Sequence, residues 1–130
     1  MILFDSNVLI HYVKGIEPLT SRVRAASPRD VAIPSIVAYE LEYGTLKGGN
    51  SRRRRVLGQV LAALREIPFD GRAARAAAEI RMSLEQAGQL IGALDLLIAG
   101  IAVSRSATLI TNNVRDFGRI RSLDVQDWSH

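Results

Sequence analysis

Short apolar segments alternate along the chain with longer segments in which apolar residues recur at helical spacing. Five short segments have the length and composition of buried strands: MILF at the start, VAIP from residue 31, REIPF from residue 65, ATLIT from residue 107 and LDVQ from residue 123. Strands that alternate with helices favour an α/β domain with a parallel sheet. In such sheets ligands bind beyond the carboxyl ends of the strands, so a functional site is expected at that edge.

The predicted helices fill the intervals between these strands. They are SNVLIHYVK from residue 6, segments that begin at Pro18, Ser35, Ser51 and Asp70, ALDLLIAGIAVSR from residue 93, and a helical turn NVRDF from residue 113. Ser35, Ser51 and Asp70 stand where a side-chain oxygen can accept hydrogen bonds from the first helical turn, so we predict that they act as caps. No repeat, linker or low-complexity segment interrupts the pattern.

Composition narrows the class of protein. The 130 residues suit one domain, residues 1–130, and 48% of them are hydrophobic, which is enough for a core. The absence of cysteine excludes disulfides and thiolate metal sites. No apolar run is long enough to span a membrane and no signal peptide is recognisable, so we expect a soluble, cytoplasmic protein with no membrane partner. The net charge of +4 favours polyanions, although many basic proteins bind no nucleic acid.

Two carboxylates follow predicted strands directly. Asp5 ends the segment MILFD with Asn7 in the same turn, and Asp116 follows the segment TLITNN. In that second segment, Thr111 and Asn112 bring a hydroxyl and an amide to the end of the fourth strand. Each carboxylate also has an ordinary explanation, because Asp5 can cap the following helix and Asp116 can lie in a plain loop.

Two further carboxylates lie on predicted helices among apolar residues. Glu40 lies four residues after Ile36 and directly before Leu41, and Asp95 shares a helix face with Ile98. A carboxylate that faces a core is costly unless it is paired or bound to a metal. For Glu40 the alternative is a salt bridge to an arginine. For Asp95 it is a role at the helix N-terminus, where negative charge is favoured.

A parallel sheet would allow all four carboxylates to meet at one edge. Like charges gathered in this way repel unless a cation lies among them. Ligands that are all oxygen favour Mg²⁺ or Mn²⁺ over zinc, and His11 and His130 have no partner at metal-binding spacing. A magnesium ion held by acidic residues activates water and neutralises phosphate. Because no glycine-rich phosphate loop is present, hydrolysis of a phosphodiester backbone fits better than a nucleotide-driven motor.

Four segments resemble, in order and spacing, the motifs of PIN-domain ribonucleases: MILFDSNVLI, SIVAYELEYG, IGALDLLIAG and TLITNNVRDFGRI. The likeness is greatest to the VapC-type toxins of bacterial toxin–antitoxin pairs, and it extends over nearly the whole chain, including the terminal LDVQDW. The resemblance implies a three-layer α/β/α fold with a central parallel sheet. It also implies Mg²⁺- or Mn²⁺-dependent cleavage of RNA by a homodimer, which a small antitoxin wraps and blocks.

The resemblance also assigns residues. It places the acidic residues of the family at Asp5, Glu40, Asp95 and Asp116, and its strand-end polar groups at Asn7, Thr111 and Asn112. Asp5 and Asp95 are expected to be the most direct metal ligands. Glu40 and Asp116 are expected to act through water or to complete the second contact. Ser6 stands where the family often has threonine, and it keeps the hydroxyl.

Basic and aromatic residues suggest contacts with partners. The run RRRR begins at Arg52, at a predicted helix N-terminus where positive charge is unfavourable. Arg52 and Arg53 are candidate contacts for RNA phosphate, although a solvated loop edge or an antitoxin contact explains them equally well. Arg115 and Arg119 flank Asp116 and are better candidates, with a structural salt bridge as the alternative.

A homodimer is also consistent with the apolar and aromatic residues near the acidic helix. Tyr39 and Tyr43 are the examples, and they can instead belong to the core. We further expect the antitoxin to block the acidic cleft or to insert a basic side chain, because arginine can pair with two carboxylate oxygens.

Three functions are compatible with these features. The first is a toxin endoribonuclease. The second is a PIN nuclease of RNA processing or DNA repair that has no antitoxin, and the third is a non-catalytic binding module. The four intact acidic residues argue against the third. A small antitoxin-like gene beside this one would favour the first over the second.

Overall fold

The strands and helices follow the predicted order in a computed structural model that describes residues 1–130. The strands are β1 (Ile2–Phe4), β2 (Val31–Pro34), β3 (Arg65–Ile67), β4 (Thr108–Ile110) and β5 (Asp124–Gln126). The helices are α1 (Ser6–Val13), α2 (Leu19–Ala25), α3 (Ser35–Leu46), α4 (Ser51–Ala63), α5 (Gly71–Gln86), α6 (Ala93–Ser104) and α7 (Val114–Phe117). None of the helices combines the length and the hydropathy needed to cross a membrane.

The five strands form one parallel sheet in the order β3-β2-β1-β4-β5. The chain runs outward from β1 to β3, returns to place β4 beside β1, and ends at β5. The direction of winding therefore reverses between β1 and β4, and a crevice opens beyond the carboxyl ends of strands at such a reversal. Phe4 of β1 is in register with Ile110 of β4, so the residues that follow these two face the same crevice.

Helices cover both faces of the sheet. Because crossovers between parallel strands are right-handed, this strand order puts α1 to α4 on one face and α5 with α6 on the other, in agreement with the predicted α/β/α sandwich. The core consists of 27 buried residues, and the central strands contribute Leu3, Phe4 and Leu109 among the most deeply buried. Strands this short are stable because both of their faces are buried under helices.

The predicted helix caps are right in one case and wrong in two. Asp70 caps α5, as predicted, by accepting a hydrogen bond from the first helical turn at 3.0 Å. Ser51 is not a cap, because Asn50, one residue earlier, accepts two hydrogen bonds from the first turn of α4. Ser35 is not a cap either, since its hydroxyl accepts a hydrogen bond from the Phe69 N–H at 3.2 Å.

Helices α5 and α6 approach each other closely at Gly100. A Cβ at this position would lie 2.7 Å from the carbonyl oxygen of Ala73 and 2.7 Å from the Cβ of Ala77. The first of these neighbours is backbone and cannot rotate away. Because α6 carries Asp95, the small residues at this contact set the position of a predicted active-site carboxylate.

We expect Gly100→Ala to destabilise the fold by about 1–3 kcal/mol, since the added methyl must push the two helices apart. Gly58→Ala is the matched control. Gly58 also lies within a helix, and a Cβ there meets nothing within 4 Å. The control should gain up to about 1 kcal/mol from helix propensity. Urea denaturation midpoints measure both effects, and a Gly100→Ala variant as stable as the wild type would show that the contact is loose.

Candidate active site

Asp5 lies at the carboxyl end of β1 and is 6% exposed. One carboxylate oxygen accepts a hydrogen bond from the Ser6 N–H at 2.8 Å, so Asp5 is the N-cap of α1. The other oxygen accepts a hydrogen bond from the Thr111 hydroxyl at 2.7 Å. The capping explanation of Asp5 is therefore correct. It does not explain why the Asp5 carboxylate is buried, because a helix cap does not require a buried charge.

Asp116 is connected to Asp5 by a continuous chain of hydrogen bonds. The Thr111 hydroxyl donates to Asp5 and accepts a hydrogen bond from the Asn113 N–H at 3.0 Å. The Asn113 side chain in turn accepts from the Asp116 N–H at 3.4 Å and donates to its carboxylate at 3.3 Å. Asp116 thus lies in the first turn of α7, and the plain-loop alternative is wrong.

Glu40 and Asp95 face the same crevice from two helices. The Oε1 atom of Glu40 is buried and has no hydrogen-bond partner. No lysine or arginine lies within salt-bridge distance of Glu40, so the salt-bridge alternative is wrong. Asp95 lies in the first turn of α6, where the helix dipole favours its charge, but it is not the N-cap, which is Gly92.

The carboxyl groups are close enough to influence one another's ionisation. Burial raises the pKa of Glu40, and the charges of Asp5 and Asp95 raise it further, although the Ser6 side chain opposes this effect. Burial also raises the pKa of Asp5, although the hydrogen bonds from Thr111 and Ser6 oppose this effect. For Asp95, burial followed by the charges of Asp5 and Asp116 raises the pKa from 3.8 to about 6. We call these four side chains, Asp5, Glu40, Asp95 and Asp116, the acidic cluster.

The acidic cluster has the donor atoms of a site for a hard cation, but its side chains are too far apart to share one ion. No three acidic or histidine side chains lie close enough together to share one ion. The donors are nevertheless all oxygen, and the orphaned Oε1 of Glu40 is a buried acceptor that a cation would satisfy. Uncompensated carboxylates repel, and Glu40 and Asp95 are only half-buried, so they are not packed against the rest of the cluster.

The predicted polar residues differ in their surroundings. Thr111 is fully buried against Asp5, whereas Asn7 is exposed in the first turn of α1. The Nδ2 atom of Asn112 lies 2.9 Å from Nδ1 of His11, and its Oδ1 atom is buried without a partner. Asn112 therefore contacts a histidine and no carboxylate. The sequence carries no signal for this pair, because 101 positions separate its members and only the fold joins them.

The candidate RNA-contacting arginines lie in two places. Arg115 is exposed, whereas Arg119 lies 3.9 Å from the carboxylate of Asp116 and donates to two backbone carbonyls at 3.4 Å. The salt-bridge alternative is thus present for Arg119. Arg52 and Arg53 are exposed at the start of α4, and Arg53 lines a groove that also contains Glu40.

Arg54 of the run that begins at Arg52 lines the same groove, and so does Lys14, which the sequence did not single out. Lys14 directly follows α1 and Arg54 belongs to α4, and only the fold brings these two helices together with α3. Charge alone gave no reason to select Lys14 from the sequence. An RNA-contacting role for any of these basic residues stays a prediction.

Comparison with known proteins identifies the class to which this fold and site belong. The PIN-domain family model matches residues 2–123, and the chain belongs to the PIN-domain family. Nucleases of this family generally use a divalent metal, which agrees with the oxygen donors of the acidic cluster.

Within the family, the chain is similar to proteins named VapC. Ribonuclease VapC2 from Rickettsia felis is 39% identical, with 97% of this chain and 96% of the relative covered. The tRNA(fMet)-specific endonuclease VapC from Shigella flexneri is 32% identical, with coverages of 98% and 97%. The crystal structure of VapBC2 from Rickettsia felis bound to a DNA fragment from their promoter superimposes with a TM-score of 0.87 at 32% identity, covering 98% of this chain and 99% of the other. The predicted resemblance to VapC-type ribonucleases is confirmed.

The raised pKa of Asp95 predicts how the metal-free protein responds to pH. A carboxyl group whose pKa rises on folding contributes stability below its unfolded pKa, and this contribution is lost as the pH rises from 3.8 to about 6. In EDTA at pH 7.5, Asp95→Asn should therefore melt no lower than the wild type and up to about 4 °C higher. At pH 4 this advantage should disappear.

Thermal melts of both proteins, with EDTA and with Mg²⁺, measure the effect. Magnesium should raise the melting temperature of the wild type more than that of Asp95→Asn, because it binds the folded, ionised cluster. Asp30→Asn is a control at an exposed carboxylate just before β2, and it should respond to magnesium like the wild type. A large drop in the melting temperature of Asp95→Asn in EDTA would mean that Asp95 stabilises the fold through a pair.

Proposed function

We propose that this chain is a metal-dependent endoribonuclease that acts as the toxin of a toxin–antitoxin pair. The observation that carries the proposal is the acidic cluster itself. Asp5, Glu40 and Asp95 are wholly or partly buried, and their charges are close enough to affect one another's pKa. They lie at the strand-order reversal of a PIN fold, and Glu40 has no basic partner. Such an arrangement costs stability, so it is explained by function. The ribonuclease names of the relatives support RNA as the substrate.

Mg²⁺ or Mn²⁺ is the proposed cofactor. Asp5 and Asp95 would hold it most directly, with Glu40 and Asp116 acting through water or completing the second contact. When bound, the ion would activate a water molecule and neutralise the scissile phosphate. The support for this choice is the all-oxygen donor set and the unpartnered Oε1 atom of Glu40.

The protein side chains have separate tasks in this mechanism. Thr111 fixes the orientation of the Asp5 carboxylate, and Asn113 does the same for Asp116. A carboxylate of the acidic cluster would take the proton of the attacking water. Asn7 and Asn112 are proposed to orient water or substrate at the rim of the cluster.

The proposed partners are RNA and a small antitoxin. The Shigella flexneri relative is named for tRNA(fMet), so tRNA is the first substrate to test. The antitoxin would place a guanidinium against the cluster, where it can donate hydrogen bonds to two carboxylate oxygens. We treat residues 1–130 as one nuclease domain, which the family match over residues 2–123 supports, and we place its activity in the cytoplasm, where its RNA substrate is found.

Asp5→Asn or Asp95→Asn should reduce RNA cleavage by at least about 100-fold, because the amide keeps the shape of the side chain and removes a charged metal ligand. The assay is incubation of total cellular RNA with antitoxin-free protein and Mg²⁺, followed by mapping of the 5′ ends. Asp30→Asn is the matched control and should cut like the wild type. Cleavage at the wild-type rate by either cluster variant would show that the site is wrongly placed.

We also predict a homodimer, formed through an apolar stripe on α3. Tyr39, Tyr43 and Leu46 lie at helical spacing and are 58%, 54% and 85% exposed, so the two tyrosines are not part of the core. Exposed apolar patches of this kind mark protein interfaces. Light scattering at micromolar concentration should report a dimer for the wild type and a monomer for Tyr39→Arg/Tyr43→Arg.

Met82→Arg is the control for this pair of substitutions, because Met82 is 56% exposed on α5, outside the stripe. It should leave the dimer intact. A monomeric wild type, or a dimer that survives both tyrosine substitutions, would contradict the prediction.

A further inference from the structure

A groove of about 240 Å³ lies between α1, α3 and the first turns of α4. Ile10, Leu41 and Leu57 contribute apolar surface to it, and Glu40 of the acidic cluster also lines it. A molecule that occupies this groove therefore reaches the side of the cluster on which the Glu40 carboxylate lies. Glu40 therefore belongs to both the groove and the acidic cluster.

The charge of the groove differs in sign from that of the cluster. Lys14, Arg53 and Arg54 line it, and Glu40 is its only acidic residue. All three basic side chains are exposed, and none of them lies within salt-bridge distance of a carboxylate. Two of them occupy the first turn of α4, where positive charge opposes the helix dipole. Local stability therefore does not account for Arg53 and Arg54, whereas Lys14, the C-cap of α1, lies where the helix dipole favours a cation.

We propose that this groove holds the nucleotide of the RNA substrate that neighbours the scissile phosphate. The apolar surface of the groove would receive the flat base, and Lys14, Arg53 and Arg54 would contact the backbone phosphates. The inference rests on the proposed cleavage of RNA. An antitoxin segment could also use an apolar groove, but three unpaired cations favour a polyanion.

Gly44 of α3 allows the groove to be filled without touching its charges. It lines the groove, and a Cβ at this position meets nothing within 4 Å. Gly58 of α4 is equally open but does not line the groove. Gly44→Leu and Gly58→Leu are therefore a matched pair, and both replace a helical glycine with a better helix former, so the fold should be retained.

The test combines cleavage kinetics with direct RNA binding. Gly44→Leu should raise the KM for RNA about tenfold, with little change in kcat, whereas Gly58→Leu should cut like the wild type. Binding of a short fluorescein-labelled single-stranded RNA, measured by anisotropy in the Asp5→Asn background, should weaken by the same factor.

Salt titrations test the charged rim of the groove independently. Arg53→Ala and Arg54→Ala should each lower the slope of log affinity against log salt concentration by about 0.7, as expected for one lost phosphate contact on a single strand. Arg55→Ala is the control, because Arg55 belongs to the same run but does not line the groove. It should leave the slope unchanged.

The outcomes separate this inference from the proposed function. If Gly44→Leu cuts and binds RNA like the wild type, the groove inference is overturned and the nuclease assignment stands. If Gly44→Leu keeps its RNA affinity but escapes inhibition by a co-expressed antitoxin, the groove is a peptide site and the inference is again overturned. A wild-type protein that neither cuts nor binds RNA overturns both.

Discussion

The hydrogen bond from the Thr111 hydroxyl to the Asp5 carboxylate joins the ends of the two central strands, and the rest of the site is arranged around it. Phe4 and Ile110 are in register across β1 and β4, so the residues that follow them must lie side by side. Asp5 also caps α1, which ties its carboxylate to a strand end, a helix start and the neighbouring strand at once. The strand order therefore determines where the site forms.

This arrangement carries an electrostatic cost that the fold does not relieve. Burial is the first cause of the raised pKa at Asp5, Glu40 and Asp95, and charge repulsion adds to it at the last two. Arg119 is the one basic side chain within salt-bridge distance of the acidic cluster, and it approaches Asp116 only to 3.9 Å. Because the protein supplies so little positive charge near the acidic cluster, the cluster can bind a cation from outside, either a metal ion or a guanidinium of a partner.

The elements of the fold could be predicted from sequence because strand and helix periods differ and because chemistry at strand ends is local. Asp5 and Thr111 were found on that basis. Contacts between residues that are far apart in the sequence could not be predicted in this way. Ser35 was expected to cap its own helix, yet its hydroxyl accepts from Phe69, 34 positions away. The same limit applies to the groove, where Lys14 joins Glu40 only through the packing of α1 against α3.

The opposite charges of the cluster and the groove constrain anything that covers both. An RNA strand is attracted to the groove by its phosphates, but the same phosphates are repelled by the cluster until a cation neutralises it. A peptide meets the reverse problem, because a basic residue that suits the cluster is repelled by Lys14 and Arg53. A peptide inhibitor that spans both surfaces must therefore change the sign of its charge along its length. RNA cannot do so. If the groove holds RNA as proposed, an RNA that extends across both surfaces gains from a bound cation, whereas inhibition by such a peptide does not depend on one.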